Sequence, residues 1–452
     1  MNSRIKKIII WILSVVSILT LVSCKTNNPA GDKPGVRPTE KPEEEISYYS
    51  VIIGSSDGST SIDSDTSYNM NISYDSENDF NNYQLTYTSD NHFKGTITYM
   101  VDGQNTSEVF YLEPGENVLF TGLIDGYLDG KMATYISSIE FSAFKGKKCN
   151  FELLKLATDI KAVPESEFIY IQNDKFKFGV DLSMGGGVCY FEDLQDNDDS
   201  IGNLLNRADE GRLIQQSYYG DSSAPYKPAK YNGTTWSYNP VQGGDQHRNR
   251  SKIVDFRLES DSIYIKCIPM DWAQNGSPAQ CYMENTYVFK DGYVEVDNRF
   301  IDYSGYMTKN SPHQELPAVY VISYLDTFHY YSGTSPWTND KLTVKANLPF
   351  WGGNSNAYFR FRSGNDEKWC AWTNAQGYGF GIYTPIAEQL LAGRFSYNAS
   401  KEPTNGATNY VAPLITAKMG AYKVFEYNYY ITTGNLQNIR DTFTNVYNAN
   451  EK

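Results

Sequence analysis

Polar and apolar residues alternate along most of this chain. Met70, Ile72 and Tyr74 are separated by polar residues, as are Leu85 and Tyr87, and Ile97 and Tyr99. A two-residue period marks strands that bury one face. Turn pairs at Asp102-Gly103, Pro114-Gly115 and Asp129-Gly130 cut these runs at intervals typical of a sandwich. A first β-sandwich is expected over 47–160, ending near Ala162-Val163-Pro164. The alternation continues over 161–452. Phe176, Phe178, Val180 and Leu182 form one face of a strand that runs into Gly185-Gly186-Gly187, read as a turn or bulge. The clearest hairpin joins 282–289 to 293–300 through Asp291-Gly292. A two-residue turn there pairs Lys290 with Tyr293 and sets Glu284 opposite Arg299, a favourable cross-strand pair. Helical periodicity is almost absent. The expected fold class is all-β: an N-terminal jelly-roll-like sandwich, then a large antiparallel super-sandwich.

The N-terminus departs from this pattern. Arg4, Lys6 and Lys7 precede an apolar run from Ile8 to Leu21 and the tetrad Leu21-Val22-Ser23-Cys24. This reads as a lipoprotein signal over 1–23, with Cys24 as the lipidated first residue after cleavage. The run is short for a membrane span, which disfavours an uncleaved anchor helix. Residues 24–46 carry Pro29, Pro34, Pro38 and Pro42 among Gly, Lys and Glu and read as a solvated tether. The chain is thus expected in a bacterial cell envelope, lipid-anchored and extracytoplasmic, as a monomer.

Composition narrows the ligand. With 39 basic and 53 acidic residues the net charge is −14, and no basic stripe offsets phosphate repulsion, so nucleic acid is excluded as a partner. The 37 Tyr, 22 Phe and 7 Trp argue for a folded body with rings to bury. Cys149, Cys189, Cys267, Cys281 and Cys370 are scattered and form no CxxC pair, so a thiolate zinc site is not expected. Buried free thiols are the simpler reading, and one disulfide stays open.

Several separated blocks carry a resemblance. They are Asp209-Glu210-Gly211-Arg212-Leu213-Ile214-Gln215-Gln216-Ser217-Tyr218-Tyr219 and Trp236-Ser237-Tyr238-Asn239-Pro240-Val241-Gln242-Gly243-Gly244-Asp245. With them go Met283-Glu284-Asn285, Asn298-Arg299-Phe300 and His313-Gln314-Glu315-Leu316-Pro317-Ala318-Val319-Tyr320. Over 165–445 the chain resembles bacterial secreted carbohydrate-active proteins of the galactose-mutarotase-like type. The first sandwich resembles galactose-binding-like jelly-rolls, by pattern alone. The resemblance implies a carbohydrate ligand held in a cleft on the large sheet. Its reaction stays open, because epimerases, hydrolases, lyases and phosphorylases share that superfold.

Candidate chemistry centres on His313 and Glu315, which project to one face of an extended segment two residues apart and can divide acid and base work. Asp245 and His247 follow Gly243-Gly244 in a loop that can approach a ligand closely. A glycosidase needs two carboxyl groups, for which Glu315 with Asp245 or Glu284 are the candidates. Arg212, Gln215 and Tyr219 are candidate ligand contacts, Arg212 for a carboxylate or sulfate and Tyr219 for a lyase acid or base. Glu284 and Arg299 are read as a cross-strand pair that can orient substrate if it faces the cleft. Trp236, Trp337, Trp351 and Trp369 are candidate stacking residues, with Trp351-Gly352-Gly353 the most open. The acidic run Asp193, Asp196, Asp198 and Asp199 lacks the Gly and terminal Glu of a calcium loop, so no cofactor is implied, although a structural calcium is not excluded.

A glycoside hydrolase on a polysaccharide or oligosaccharide is the leading expectation. A lyase acting on a uronate polymer, a sugar epimerase and a glycan-binding lipoprotein without catalysis are the alternatives.

Overall fold

Alternating sequence becomes paired strand through most of the chain. The computed structural model describes residues 50–52, 59–72, 79–195, 201–309, 312–362 and 364–450. The signal, Cys24 and the tether lie outside the described residues, as do Tyr74, Asp196, Asp198 and Asp199.

Two antiparallel sheets build the N-terminal sandwich. One carries Ser50–Ile52, Lys148–Asp159, Asn82–Ser89 and Gly115–Leu123 in that order; the other carries Ser67–Asn71, Ala133–Ala143, Phe93–Val101 and Gln104–Leu112. Phe93–Val101 alternates buried and half-buried positions without exception, as its period-2 sequence requires. None of the described strands up to Asp159 pairs with one after it. Packing nevertheless runs across: Tyr282, Ile301 and Tyr303 of the second sandwich belong to the same apolar cluster as Phe110, Phe120 and Phe151 of the first. Arg299 Nη2 meets Glu113 at 2.5 Å, and Lys252 pairs with Glu108.

The second sandwich has a ten-stranded and a nine-stranded sheet. The first orders Phe168–Gln172, Phe176–Asp181, Gly187–Asp193, Ile214–Ser217, His313–Ile322, Thr408–Thr416, Gln389–Phe395 and Tyr358–Arg360, with Pro240–Val241 branching from Ile214–Ser217 and Met270–Asp271 pairing with that branch. The second orders Lys252–Leu258, Ser262–Ile268, Cys281–Lys290, Tyr293–Asp302, Val424–Asn435, Tyr378–Tyr383, Trp369–Thr373, Thr327–Tyr330 and Thr343–Ala346. Their facing sides share one apolar core, in which Phe176, Phe178, Val180 and Leu182 all take part. Gly185 and Gly186 turn the chain at φ 60° and 71°, and a Cβ on Gly185 would stand 2.1 Å from Gln242 O. The hairpin has the register its Asp-Gly turn predicts, with Lys290 opposite Tyr293 and Glu284 opposite Arg299.

The core between the sheets also holds a chain of amides. Gln216 receives the Tyr218 hydroxyl at 2.6 Å, and its backbone N–H donates to Gln242 Oε1 at 3.1 Å. Gln242 Nε2 donates to Asn285 Oδ1, Asn285 Nδ2 to Asn298 Oδ1, and Asn298 Nδ2 to Tyr427 Oη, at 2.9, 2.6 and 2.7 Å. The series begins in the ten-stranded sheet and ends in the nine-stranded one.

One element departs from the sequence expectation. Leu436–Asn450 is an α-helix that buries Ile439, Phe443 and Val446 against the outer side of the nine-stranded sheet. That spacing of four and three is helical, but it stands beside Thr, Asn and Asp residues of weak helix propensity, which hide it. Arg440 from this helix meets fully buried Glu367, which also receives Trp337 N–H and Trp369 Nε1–H. Among the described residues, Cys149, Cys189, Cys267, Cys281 and Cys370 are all buried and free.

Candidate functional site

The outer face of the ten-stranded sheet should be wet, yet it carries rings. A one-residue bulge explains how they gather. Glu315 pairs with Leu414, but further along Val319 pairs with Val411, so the His313–Ile322 strand holds one extra residue between those pairs. The insertion flips the alternation, and Glu315, Ala318 and Tyr320 all reach the outer face. Ile214–Ser217 on one side contributes Gln215 and Ser217, and Tyr219 follows; Thr408–Thr416 on the other contributes Thr408 and Tyr410.

These residues line a cavity of about 390 Å³, within the roughly 300–1,000 Å³ of ligand sites. Two ring clusters wall it. Trp236 lies 6.4 Å from Tyr219 and 5.2 Å from Tyr231, and Tyr231 lies 5.6 Å from Trp272, centroid to centroid. On the far side Trp351 stacks on Tyr410 at 4.6 Å and 20°, with Tyr320 and Phe350 at its edges and Phe395 beyond. Gly393 makes this stack possible. It sits opposite Tyr410, and a Cβ there would stand 2.5 Å from Pro349 O and 2.9 Å from Trp351 N.

Glu315 lies at the floor between the clusters. Its Oε1 accepts from Tyr219 Oη at 3.2 Å and from Tyr410 Oη at 2.5 Å, one hydroxyl from each wall. Ser217 adds a third hydroxyl. Burial pushes the Glu315 carboxyl above its ordinary range, and the three hydroxyls draw it back only in part. Tyr219 and Tyr410 are pushed well up as well, first by burial and then by the Glu315 charge. Burial thus shifts the group in the direction that a proton donor needs.

Asn239 ties the floor to one wall. Its Oδ1 accepts Trp236 Nε1–H at 3.1 Å, and its Nδ2 donates to Ser217 Oγ at 3.2 Å and to Tyr218 O at 2.8 Å. Buried Asp271 receives Asn239 N–H, and burial lifts its carboxyl to about 6.

No protein-family model and no curated protein sequence matches this chain. Solved structures do resemble it in shape. A putative aldose 1-epimerase of Escherichia coli K12 aligns over 60% of this chain and 99% of its own, at 10% identity and a TM-score of 0.36. A galactose mutarotase related enzyme of Lactobacillus acidophilus aligns over 59% and 97%, at 12% identity and 0.36. An alpha-mannosidase of Enterococcus faecalis V583 aligns over 85% of this chain and 43% of its own, at 10% identity and 0.37.

The structure brings together part of the set singled out from sequence. Arg212, Gln215, Tyr219, Trp236, Glu315 and Trp351 all line the cavity. Gln215 is tied to the neighbouring loop, accepting Gly243 N–H at 2.7 Å and donating to Glu210 O at 3.3 Å. Arg212 Nε faces Asp209 at 3.3 Å, and its Nη1 donates to Gly406 O at 2.8 Å.

The others stand elsewhere. His313 shares a face with Glu315, but its ring is exposed beside Tyr358 and hydrogen-bonds Gln389 rather than lining the cavity. Asp245 is spent on its own loop, accepting from His247 N, Asn249 N, Asn249 Nδ2 and Gly276 N at 2.7–3.0 Å. His247 is exposed. Glu284 and Arg299 lie on the outer face of the nine-stranded sheet with Lys266, Glu113 and Glu426. Trp369 is fully buried, and Trp337 stacks on Tyr447 of the C-terminal helix. Sequence reading passed over Asp209, Asn239, Tyr231, Trp272, Tyr320 and Tyr410. Tyr410 was discoverable only through strand pairing, because it lies on the strand beside that of Glu315, and Tyr320 only through the bulge within Glu315's own strand.

Proposed function

We propose that this protein is a carbohydrate-active enzyme, a glycoside hydrolase in which Glu315 gives its proton to the glycosidic oxygen. The observation that carries this reading is a single buried carboxyl, biased towards protonation and held by hydroxyls from two opposed aromatic walls. Rings on both sides suit the apolar faces of sugars, and a proton donor at the floor suits a glycosidic bond between them. Hydrolysis needs a second carboxyl group. Asp245 and Glu284 are engaged away from the cleft, whereas Asp209 lines it, ion-paired with Arg212. Asp209 is the proposed base that activates water.

A non-catalytic glycan-binding role is the second reading, and one contact favours it: Arg212 holds Asp209, which engages the carboxylate that would have to meet the water. A uronate lyase has less support, since burial pushes the Tyr219 hydroxyl away from the range of a base. The test is incubation of the full-length protein with a polysaccharide panel, following reducing ends and the absorbance of unsaturated uronates. New reducing ends without absorbance support hydrolysis. Absorbance with reducing ends would support a lyase, and binding without either would support the second reading.

The signal run and Cys24 support a further proposal, that the cleft works outside the cytoplasm on a lipid anchor. Cys24→Ser should move the protein out of the membrane fraction.

A further inference from the structure

The walls and charges of the cleft bear on which sugar it takes, granted the carbohydrate reading above. The clusters lie on opposite sides of the His313–Ile322 strand, one reached from Ile214–Ser217 and the other from Thr408–Thr416 and Gln389–Phe395. Trp236 and Tyr231 on one side, and Trp351 and Tyr320 on the other, are half-buried and keep ring surface open. Both walls line the same cavity of about 390 Å³. An occupant between them must therefore offer apolar surface on both of its faces.

Charge supplies the second constraint. Among the described residues Arg212 is the only cation that lines the cavity, and Asp209 answers it at 3.3 Å. Glu315 is neutral when protonated and negative otherwise. An anionic sugar would meet no net positive field and two carboxyl groups.

We propose that the cleft selects a neutral pyranose with all its hydroxyls equatorial, a gluco- or xylo-configured unit. Such a ring carries axial C–H bonds on both faces and its hydroxyls around the edge. The edge hydroxyls then meet Ser217, Asn239 and Asp209, while both faces meet rings. A galacto- or manno-configured unit turns one hydroxyl axial and presses it, without a partner, against a wall. A buried hydroxyl without a partner weakens binding by about tenfold or more.

The test is calorimetric titration of the full-length protein with four-unit oligosaccharides. The gluco-configured probes are β-1,4 and β-1,3 linked and the xylo-configured probe is β-1,4; their competitors are galacto- and manno-configured β-1,4 oligomers and an oligogalacturonide. At least one gluco or xylo probe should bind about tenfold tighter than every competitor. Trp236→Ala and Trp351→Phe should each weaken it by about threefold or more, the latter keeping an aromatic ring over Tyr410. A galacto, manno or uronate probe that binds equally well overturns the inference and leaves the hydrolase proposal standing. Unchanged affinity in both variants, with circular dichroism showing them folded, overturns two-sided stacking. Absence of binding by every probe overturns the carbohydrate reading with it.

Discussion

Tyr410 hands its hydroxyl hydrogen to Glu315 Oε1 across 2.5 Å, from the strand next to Glu315's own. This bond stabilises the ionised carboxylate and opposes the effect of burial, which raises the carboxyl. Tyr410→Phe removes that opposition and lets the carboxyl rise further. A proton donor loses activity as pH climbs through its own value, so the alkaline limb of kcat/KM should move to higher pH in this variant. A limb that moves to lower pH contradicts the assignment of Glu315 as the acid.

Glu315→Gln keeps the shape of the side chain and removes the transferable proton. Turnover on a cleaved glycan should fall by about 10²–10⁴-fold. Affinity measured by titration should change far less, because the walls are intact. Equal losses in both quantities would make Glu315 a binding residue.

Gly393→Ala tests the platform from beneath. The added methyl would stand 2.5 Å from Pro349 O and 2.9 Å from Trp351 N, so the loop carrying Trp351 must lift from Tyr410. Overpacking of this kind costs about 1–3 kcal/mol, readable by chemical denaturation. Glycan affinity should drop with it.

Arg440→Ala tests the other end of the molecule. Glu367 is fully buried and Arg440 nearly so, and the substitution strands the carboxylate. Breaking one partner of such a pair costs about 3–5 kcal/mol. The melting temperature should fall while glycan affinity at low temperature holds, since neither residue lines the cleft.

Asp302 sets a pH dependence of stability. Burial lifts its carboxyl to about 6, against hydrogen bonds from Ser304, Gly305 and Tyr238 that lower it. A raised value means the folded state holds the proton more tightly than the unfolded chain. Its contribution is complete below the ordinary carboxylate range and is lost as pH rises through 6. Between pH 4 and pH 7 the stability of the wild type relative to Asp302→Asn should fall by about 2 kcal/mol. A difference that is flat across this range would show that Asp302 does not titrate there.

The strands were legible because each declares itself locally. Alternation located Phe93–Val101, and one Asp-Gly turn gave the whole register of the Cys281–Lys290 and Tyr293–Asp302 hairpin. Pairing between strands distant in sequence was not legible, and the cleft depends on it. Tyr410 joins Glu315 only because Thr408–Thr416 lies beside His313–Ile322. Counting along the strand placed His313 and Glu315 together correctly, but it could not show that the cavity closes beyond Glu315. Nor could it show the bulge that brings Tyr320 to Glu315's side. Asp245 looked catalytic because its type and its glycine neighbours allowed it; its four donors come partly from Gly276, which no local pattern links to it.

The amide chain through the core gives the two sheets a key. Apolar layers alone can slide by one residue pair and still bury similar area. Here any such step would part Gln242 from Asn285 and Gln216 from the Glu284 carbonyl, leaving amides without partners at a cost of about 1–3 kcal/mol each. The sandwich is therefore indexed to one setting. The strand that carries Glu315 pairs directly with the one that carries Gln216, so the floor of the cleft inherits that single setting.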